Sequence, residues 1–522
     1  MSNEPYIFFV VAVLIIVCIL IVGCDTKRPV ASDYERNETH AIAPTHDTAL
    51  RRAIAPEIKE HHGQSGFKLL TKGDDSLMLR IAMIEAAERS LDIQYYIIIN
   101  DVTGKLLLEA LLRAADRGIR VRILMDDLNL RGSDATWSLL NSNHNIEIRV
   151  FNPFATIDEP LLTRISSIFT GLHQFTKRMH NKILITDNQV GITGGRNLGD
   201  SYFDASSDFN FRDVDVLAVG PIVPHLSKSF DRYWNNDEAF PLSVLHKINN
   251  DPKEVAKLRE QLRLNWQEAM QKGNIAVQTP LATQLKNEKI PLIWARAELG
   301  VDSPSKINLP EEIVESKPEL LINKIAEQAE HEFIIVSPYF VPGEEKNEEL
   351  QSLVKRGVKV RILTNSLAST DVVAVHTGYS RYRQELVKEG VELYEMKPIP
   401  GTRPRSRRFS SSSRNSLHSK IYVADRRDVI IGSFNLDPRS VNLNTELVIL
   451  IHSAVLGEQV ISMFEKAIHP ATSFHVVMED NQLKWESEKD GKEQQFEAEP
   501  EAGFWRKIKA NLFALLPFEG QL

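Results

Sequence analysis

His180-Asn181-Lys182-Ile183-Leu184-Ile185-Thr186-Asp187 and His418-Ser419-Lys420-Ile421-Tyr422-Val423-Ala424-Asp425 are two copies of one pattern, His-x-Lys-x-x-x-x-Asp, with histidines 238 positions apart. Each copy continues alike, with Gly194 and Gly432 fourteen residues after the histidine and Asn197 and Asn435 seventeen after it. One copy is compatible with chance. Two copies in register as far as the asparagine are a duplicated element, and histidine, lysine and asparagine together suit the handling of a phosphate ester.

If the motif is a strand, alternation puts His180 and Lys182 on one face and Asn181 and Ile183 on the other. A phosphoryl group on that face meets an imidazole and an ammonium together. Asp187 is an odd number of residues from His180, so a regular strand turns it away, and Asp187-Asn188 suits a hairpin turn. Asp187 and Asp425, though letters of the catalytic motif, are therefore expected to be structural or supporting. The returning strand carries Gly194-Gly195-Arg196-Asn197 in one copy and Gly432-Ser433-Phe434-Asn435 in the other. Small residues let backbone approach a phosphate, and the amides of Asn197 and Asn435 can donate to its oxygens. Ser433 is a further candidate substrate contact. Two lysines and two asparagines would stabilise a five-coordinate phosphorus electrostatically. No Asp/Glu cluster has the spacing of a hard-cation site, so neither metal nor other cofactor is expected.

Two histidines make a complete mechanism. One attacks phosphorus and forms a phosphohistidine; the other protonates the leaving alcohol and deprotonates the incoming one. The residues by themselves leave the assignment open. An acid holding the far nitrogen would fix the tautomer. Glu446, heading the strand-like Leu447-Val448-Ile449-Leu450, is one candidate. Asp213 and Asp215 precede Val216-Leu217-Ala218-Val219, and Asp213 is preferred.

Around the motifs, strand and helix signals alternate. Ser76 is a candidate cap for a helix through Leu77, Ile81, Ile84 and Ala87. Leu91–Tyr96 reads as a strand, and a helix carrying Leu107, Leu111 and Ala114 stops at Arg117-Gly118 before the strand Ile119–Leu124. The order recurs as a strand at Phe333–Val336, a helix from Glu349 to Lys355 stopped by Arg356-Gly357, and a strand at Val358–Leu363. The two Arg-Gly stops are 239 apart, so the repeat extends well beyond the motif. The expected fold class is α/β, with two halves at 64–241 and 318–475. Residues 242–317, without an evident counterpart in the repeat, read as a connector.

A chain of 522 residues is too long for one ordinary core. Its net charge of −8 speaks against a nucleic-acid partner. The two cysteines, Cys18 and Cys24, both lie in the apolar run Tyr6–Cys24, so no disulfide framework can hold the body. That run, in residues 1–24, is about long enough to span a bilayer. Ile21-Val22-Gly23-Cys24 also matches a lipobox, with Cys24 as the acylated residue. An uncleaved anchor and a lipoprotein signal both remain open, and either puts the protein on a membrane; the run is long for a plain secretion signal. Residues 25–63 are polar and read as a linker. Residues 401–416, Ser/Arg-rich, read as a mobile loop, either a solvated insertion or a cationic lip for anionic head groups. In the tail, 476–522, a hairpin turn is expected at Lys489-Asp490-Gly491-Lys492. Phe504, Trp505, Ile508, Leu512, Leu515 and Leu516 then recur at helical spacing. This helix either lies in a membrane interface or docks on the protein's own surface.

With these stretches in view, residues 65–475 resemble the phospholipase D superfamily, named for its His-Lys-Asp signature. Within it the likeness is to bacterial cardiolipin synthases, the C type in particular. Leu91–Tyr96, Arg178–Lys182, Val190–Asp200, Leu363–Ala368, Gly432–Ser440 and Gly503-Phe504-Trp505 carry it. The resemblance implies two α/β halves related by a pseudo-twofold axis, one active site at their interface, and phosphatidyl transfer through a covalent histidine. That histidine is commonly the N-terminal one, here His180, with His418 as acid/base. It further implies phosphatidylglycerol as acceptor, phosphatidylethanolamine as a donor associated with the C type, and residence at the cell inner membrane. The rival chemistry is hydrolysis by a phospholipase D or, less in keeping with the charge, a nuclease; a scaffold without turnover is disfavoured by the intact motifs. An accessory protein is a candidate further partner. The apolar N-terminal run and the Ser/Arg-rich stretch depart from the family pattern.

Overall fold

The computed structural model describes residues 37–44, 47–129, 134–153, 176–206, 208–245, 251–272, 290–310, 314–398, 415–514 and 520. The apolar run with Cys24 lies outside these residues. No described helix is long and apolar enough to cross a membrane.

In chain order the first half comprises α1 (Ala49–Glu60), β1 (Ser65–Leu70), α2 (Gly73–Glu85), β2 (Ser90–Tyr95), α3 (Val102–Asp116), β3 (Arg120–Asp126), α4 (Asp134–Asn141), β4 (Ile146–Phe151), β5 (Ile183–Thr186), β6 (Val190–Gly194), β7 (Asn210–Arg212), β8 (Asp215–Val219), α5 (Ile222–Trp234) and β9 (Ala239–Pro241). After α6 (Pro252–Lys272) come β10 (Ile293–Val301), α7 (Lys317–Glu327), β11 (Glu332–Val336), α8 (Gly343–Lys355), β12 (Lys359–Asn365), α9 (Val373–Lys388), β13 (Glu392–Met396), β14 (Asn415–Leu417), β15 (Ile421–Ala424), β16 (Asp428–Gly432), β17 (Leu447–His452) and α10 (Ala454–Ala467). A hairpin edge, β18 (Ser473–Glu479), β19 (Gln482–Lys489) and β20 (Lys492–Phe496), precedes α11 (Phe504–Ala514).

The strand pairings repeat. β2, β3 and β4 are parallel, and β5, β6, β8 and β1 continue antiparallel from β2. In the same way β11, β12 and β13 are parallel, and β15, β16, β17 and β10 continue from β11. So β10 takes in the second half the place β1 takes in the first. The two also pair with each other, Ser65–Phe67 against Ile293–Ala295, joining both sheets into one ladder. The expectation that 242–317 has no counterpart in the repeat is corrected here, because β10 within it occupies the place of β1.

The duplicated Arg-Gly stops behave identically. Arg117 and Arg356 cap α3 and α8, and Gly118 and Gly357 follow at φ +87° and +88°, the left-handed region that glycine enters without penalty. Other local expectations needed revision. α2 starts at Gly73, and the Ser76 hydroxyl donates to Asp215, 139 residues on, instead of capping. Residues expected as a linker hold the first half: Arg122 and Arg149 donate to the Thr39 and Asn37 carbonyls, Asn188 and Gln189 to those of Ile42 and Pro44. The Ser/Arg-rich stretch ends earlier than expected, because Asn415 and Ser416 are in β14; residues 399–414 lie outside the described set.

Each half buries its own apolar core between sheet and helices. A third core lies between the halves, where Ile183, Val216 and Ala218 join Ile334, Ile431 and Ile449. This dry contact fixes the halves against each other, which sets the site between them.

Candidate active site

β5 begins at Ile183, so His180 and Lys182 stand just ahead of the strand that was expected to contain them. The preceding residue, Met179, forms a bridge to Thr445 of the other half, and the His180 N–H donates to the Thr445 carbonyl at 2.9 Å. The second copy repeats this. β14 pairs in parallel with β7 of the first half, Leu417 opposite Arg212, and the His418 N–H donates to the Arg212 carbonyl at 2.8 Å. Each histidine is thus seated by backbone of the opposite half.

The acids cross as well. His180 Nδ1 lies 3.0 and 2.9 Å from the carboxylate oxygens of Glu446, and His418 Nδ1 lies 2.6 Å from Asp213 Oδ2. A ring that gives its Nδ1 proton to a carboxylate keeps its lone pair on Nε2. Asp215, the alternative to Asp213, is bound instead by Arg80 at 2.9 Å and by the Ser76 hydroxyl. Tyr96 meets the His180 ring edge-on at 5.0 Å, while Tyr202 and Phe211 flank His418 at 5.4 and 4.8 Å. These aromatic neighbours were not singled out from sequence, although Tyr96 ends one of the stretches carrying the family likeness.

Lys182 and Lys420 are buried, and each ammonium donates to the carbonyl of its own motif histidine, Lys182 at 2.6 Å. The four side chains share one electrostatic environment. Burial, followed by the charges of Lys182 and Lys420, holds His180 well below the usual imidazole range. Burial and Lys420 bring His418 to about 4. Burial lowers the lysines themselves, Lys182 to about 7 and Lys420 to about 8, each ammonium feeling both Asp213 and Glu446. The acids diverge. Burial pushes Glu446 up to about 7, whereas His418 and Lys420 overcome burial at Asp213 and hold it at about 2.

The hydroxyls around Glu446 oppose this divergence without cancelling it. Ser433 donates its hydroxyl to Glu446, and Ser440 lies 3.2 Å from the same carboxylate. Ser433, expected at the phosphate, is therefore turned onto the acid. Its counterpart is Gly195, where a Cβ would come within 2.2 Å of Asp213 Oδ1. That oxygen accepts the Val214 N–H at 2.8 Å. The Asn197 amide oxygen accepts the Ile97 N–H at 3.3 Å; its amide nitrogen and the Asn435 amide oxygen are buried without a hydrogen-bond partner.

Asp187 and Asp425 are placed away from these groups. Both stand at positive φ in the turns after β5 and β15. Asp187 accepts the N–H groups of Glu88, Arg89 and Ser90, and Asp425 those of Glu330, His331 and Glu332. The third motif letter thus ties a turn to the start of β2 or β11, away from the histidines. Among the described residues, no group of three or more His, Cys, Asp or Glu side chains is placed to hold a metal ion.

A family model described as "Cardiolipin synthase, PLD-like domain" matches residues 80–234 and again 321–468, one match per half. Cardiolipin synthase C of Escherichia coli is 37% identical over 478 residues, which is 90% of this chain and 99% of that protein. The chain belongs to the cardiolipin synthase family of phospholipase D-like proteins. Cardiolipin synthase A of Pseudomonas entomophila is 27% identical over 401 residues, covering 76% of this chain and 67% of that protein. The fold also matches the crystal structure of phosphatidylserine synthase from Haemophilus influenzae, at TM-score 0.57 and 13% identity, over 91% of this chain and all of that one. Membership makes this chain a phosphatidyltransferase of the superfamily. The paired family matches also account for the duplicated motif, because each contains one histidine-lysine pair.

Proposed function

We propose that this protein makes cardiolipin at the bacterial inner membrane, moving a phosphatidyl group onto phosphatidylglycerol through a phosphohistidine. The observation that carries this is the pair of crossed His–carboxylate contacts: two imidazoles with Nδ1 held by acid, set among two buried lysines. His180 is the nucleophile. Its Nε2 lone pair attacks the phosphorus of the donor lipid, forming a P–N bond while the P–O bond to the head-group alcohol breaks. His418 in its protonated form gives the leaving alkoxide its proton. The primary hydroxyl of phosphatidylglycerol then loses its proton to His418 and attacks phosphorus, and the P–N bond breaks. The assignment follows electrostatics as well as family precedent. His418 faces a carboxylate that stays ionised at neutral pH, so of the two rings it takes up a proton more readily. Lys182 and Lys420, whose charge burial opposes, regain it when the phosphodiester anion arrives and then stabilise the equatorial oxygens. Asn197 and Asn435 supply further polar contacts. Phosphatidylethanolamine serves as donor alongside phosphatidylglycerol.

The test is incubation of the purified full chain with vesicles of labelled phosphatidylglycerol, with and without phosphatidylethanolamine, followed by lipid analysis. Labelled cardiolipin is expected in both. Phosphatidic acid as the sole product would replace the transferase reading with a hydrolase one.

A further inference from the structure

The last helix is turned inside out. A surface helix normally packs its apolar stripe against the body and presents charge to water. α11 does the reverse. Its contact with α9 runs through the Ala510 carbonyl, 3.4 Å from the Thr377 hydroxyl, and the Ala514 carbonyl, 3.3 Å from Arg381, while Arg506 reaches the Thr370 carbonyl. Phe504, Trp505 and Leu512 share the opposite stripe and stand 71%, 73% and 58% exposed. Of the two alternatives read from the sequence, the helix docks on the protein's own surface, but not with its apolar face.

The stripe has company. Ile99 and Val102 follow β2, Leu128 follows β3 and Val372 follows β12, and all four are exposed. Parallel pairing puts the ends of β2 and β3 on one edge of the first sheet and the ends of β11 and β12 on one edge of the second. These are the edges of the site, because Tyr96, next after β2, packs on His180, and Tyr339, after β11, bonds Asp371, beside Val372. The Arg506–Thr370 contact brings α11 to the same rim. Large exposed apolar residues scattered singly need no explanation, whereas a group gathered on one rim does.

We propose that this rim is a membrane-docking face: α11 and the loops after β2, β3 and β12 insert apolar side chains into the bilayer surface, so that a phospholipid passes from the leaflet to the histidines without crossing water. The inference rests on the phospholipid reading above. A bilayer fits better than a folded partner because Phe and Trp flank the basic residues Lys507 and Lys509 on one helix, the composition of interfacial segments. The face deepens the reading by fixing which side of the molecule meets the lipid.

The test uses the full chain reconstituted in vesicles of phosphatidylglycerol and phosphatidylethanolamine, compared with the triple variant Phe504→Ser/Trp505→Ser/Leu512→Ser. Turnover of vesicle phosphatidylglycerol is expected to fall at least 10-fold, while turnover of a water-soluble dibutyroyl analogue changes less than 2-fold. Independently of turnover, brominated acyl chains should quench tryptophan emission in wild type more than in Trp505→Ser. Equal losses on both substrates, with quenching alike in the two proteins, would make α11 a structural element and overturn the proposal. So would a wild-type dimer that the triple variant splits, since a second copy would then cover the stripe. Wild type inactive on both substrates yet showing Trp505-dependent quenching would sink the catalytic reading and leave the docking face standing.

Discussion

The two half-sites are built on one plan and differ in how they treat the acid. Around His180, Glu446 receives hydroxyls from Ser433 and Ser440 and sits at about 7. Around His418, Asp213 receives the His418 and Val214 donors, faces Gly195, and sits at about 2. Duplication made the halves alike in backbone; burial dominating at Glu446, against the charges of His418 and Lys420 prevailing at Asp213, made them unequal in charge. Such inequality is what an enzyme with one nucleophile and one proton carrier needs, because identical imidazoles would compete for both jobs.

The largest effects should come from the histidines. His180→Ala and His418→Ala are each expected to lower kcat by roughly 10⁴-fold or more, since residues acting as a unit fail together. Covalent trapping separates them. Alkaline quenching after labelled lipid should show a phosphoprotein in His418→Ala and none in His180→Ala. The reverse pattern would exchange the two roles and break the comparison as drawn.

Next come the acids. Asp213→Asn is expected to cost about 10³-fold in kcat/KM and Glu446→Gln about 10²-fold, because the first loses a full charge and the second a half-ionised group. Equal losses would mean that the electrostatic difference has no catalytic weight. pH dependence sharpens the point. kcat/KM reports the free enzyme. With Lys182 at about 7 and Lys420 at about 8, it should fall between pH 7 and 9 as the ammonium groups deprotonate. Lys182→Arg should move the onset of that alkaline limb upward, because Lys182 deprotonates first; an unmoved limb would mean that Lys182 does not set it.

Smaller still is Ser433→Ala. Its hydroxyl stabilises the charged form of Glu446, so its loss raises that pKa and should shift the acidic limb upward, with a rate loss of about 5- to 10-fold, one hydrogen bond's worth. Gly195→Ala should cost more than Ser433→Ala, since its Cβ meets Asp213 at 2.2 Å. The smallest effect on turnover belongs to Asp425→Asn. It should leave kcat unchanged while lowering stability by about 0.5–1 kcal/mol in urea unfolding, since solvent screens these contacts. Although burial opposes it, the N–H groups of Glu332, Glu330 and His331 hold Asp425 below the usual carboxylate range. The folded state therefore favours the ionised form, so this stability is present at neutral pH and is lost as the pH falls through that range.

Local pattern and duplication were readable before any fold. Register between the copies marked both histidine-lysine pairs and glycine chemistry marked both helix stops, but strand alternation did not apply at His180 and Lys182, which stand ahead of β5. Spacing singled out Glu446 and Asp213 as acids near strand heads. What spacing does not encode is partnership over 266 or 205 residues, so the crossing of acids between halves was invisible. Ser76 illustrates the limit: a good cap by local rules, it answers to a buried Asp215–Arg80 pair formed far along the chain. Ser433 is a second case, because a small residue beside a phosphate and a hydroxyl beside a carboxylate look alike until the fold aims the side chain.

The shared ladder through β1 and β10 has a mechanical meaning. Two sheets hydrogen-bonded edge to edge across their symmetry axis cannot swing open like a clamshell without tearing backbone bonds. Equivalent strands meeting about an axis, with each acid reaching over it, is also the geometry that two identical half-length chains would adopt on pairing. Fusion into one polypeptide frees each copy to vary alone, and here one half carries Ser433 where the other has Gly195.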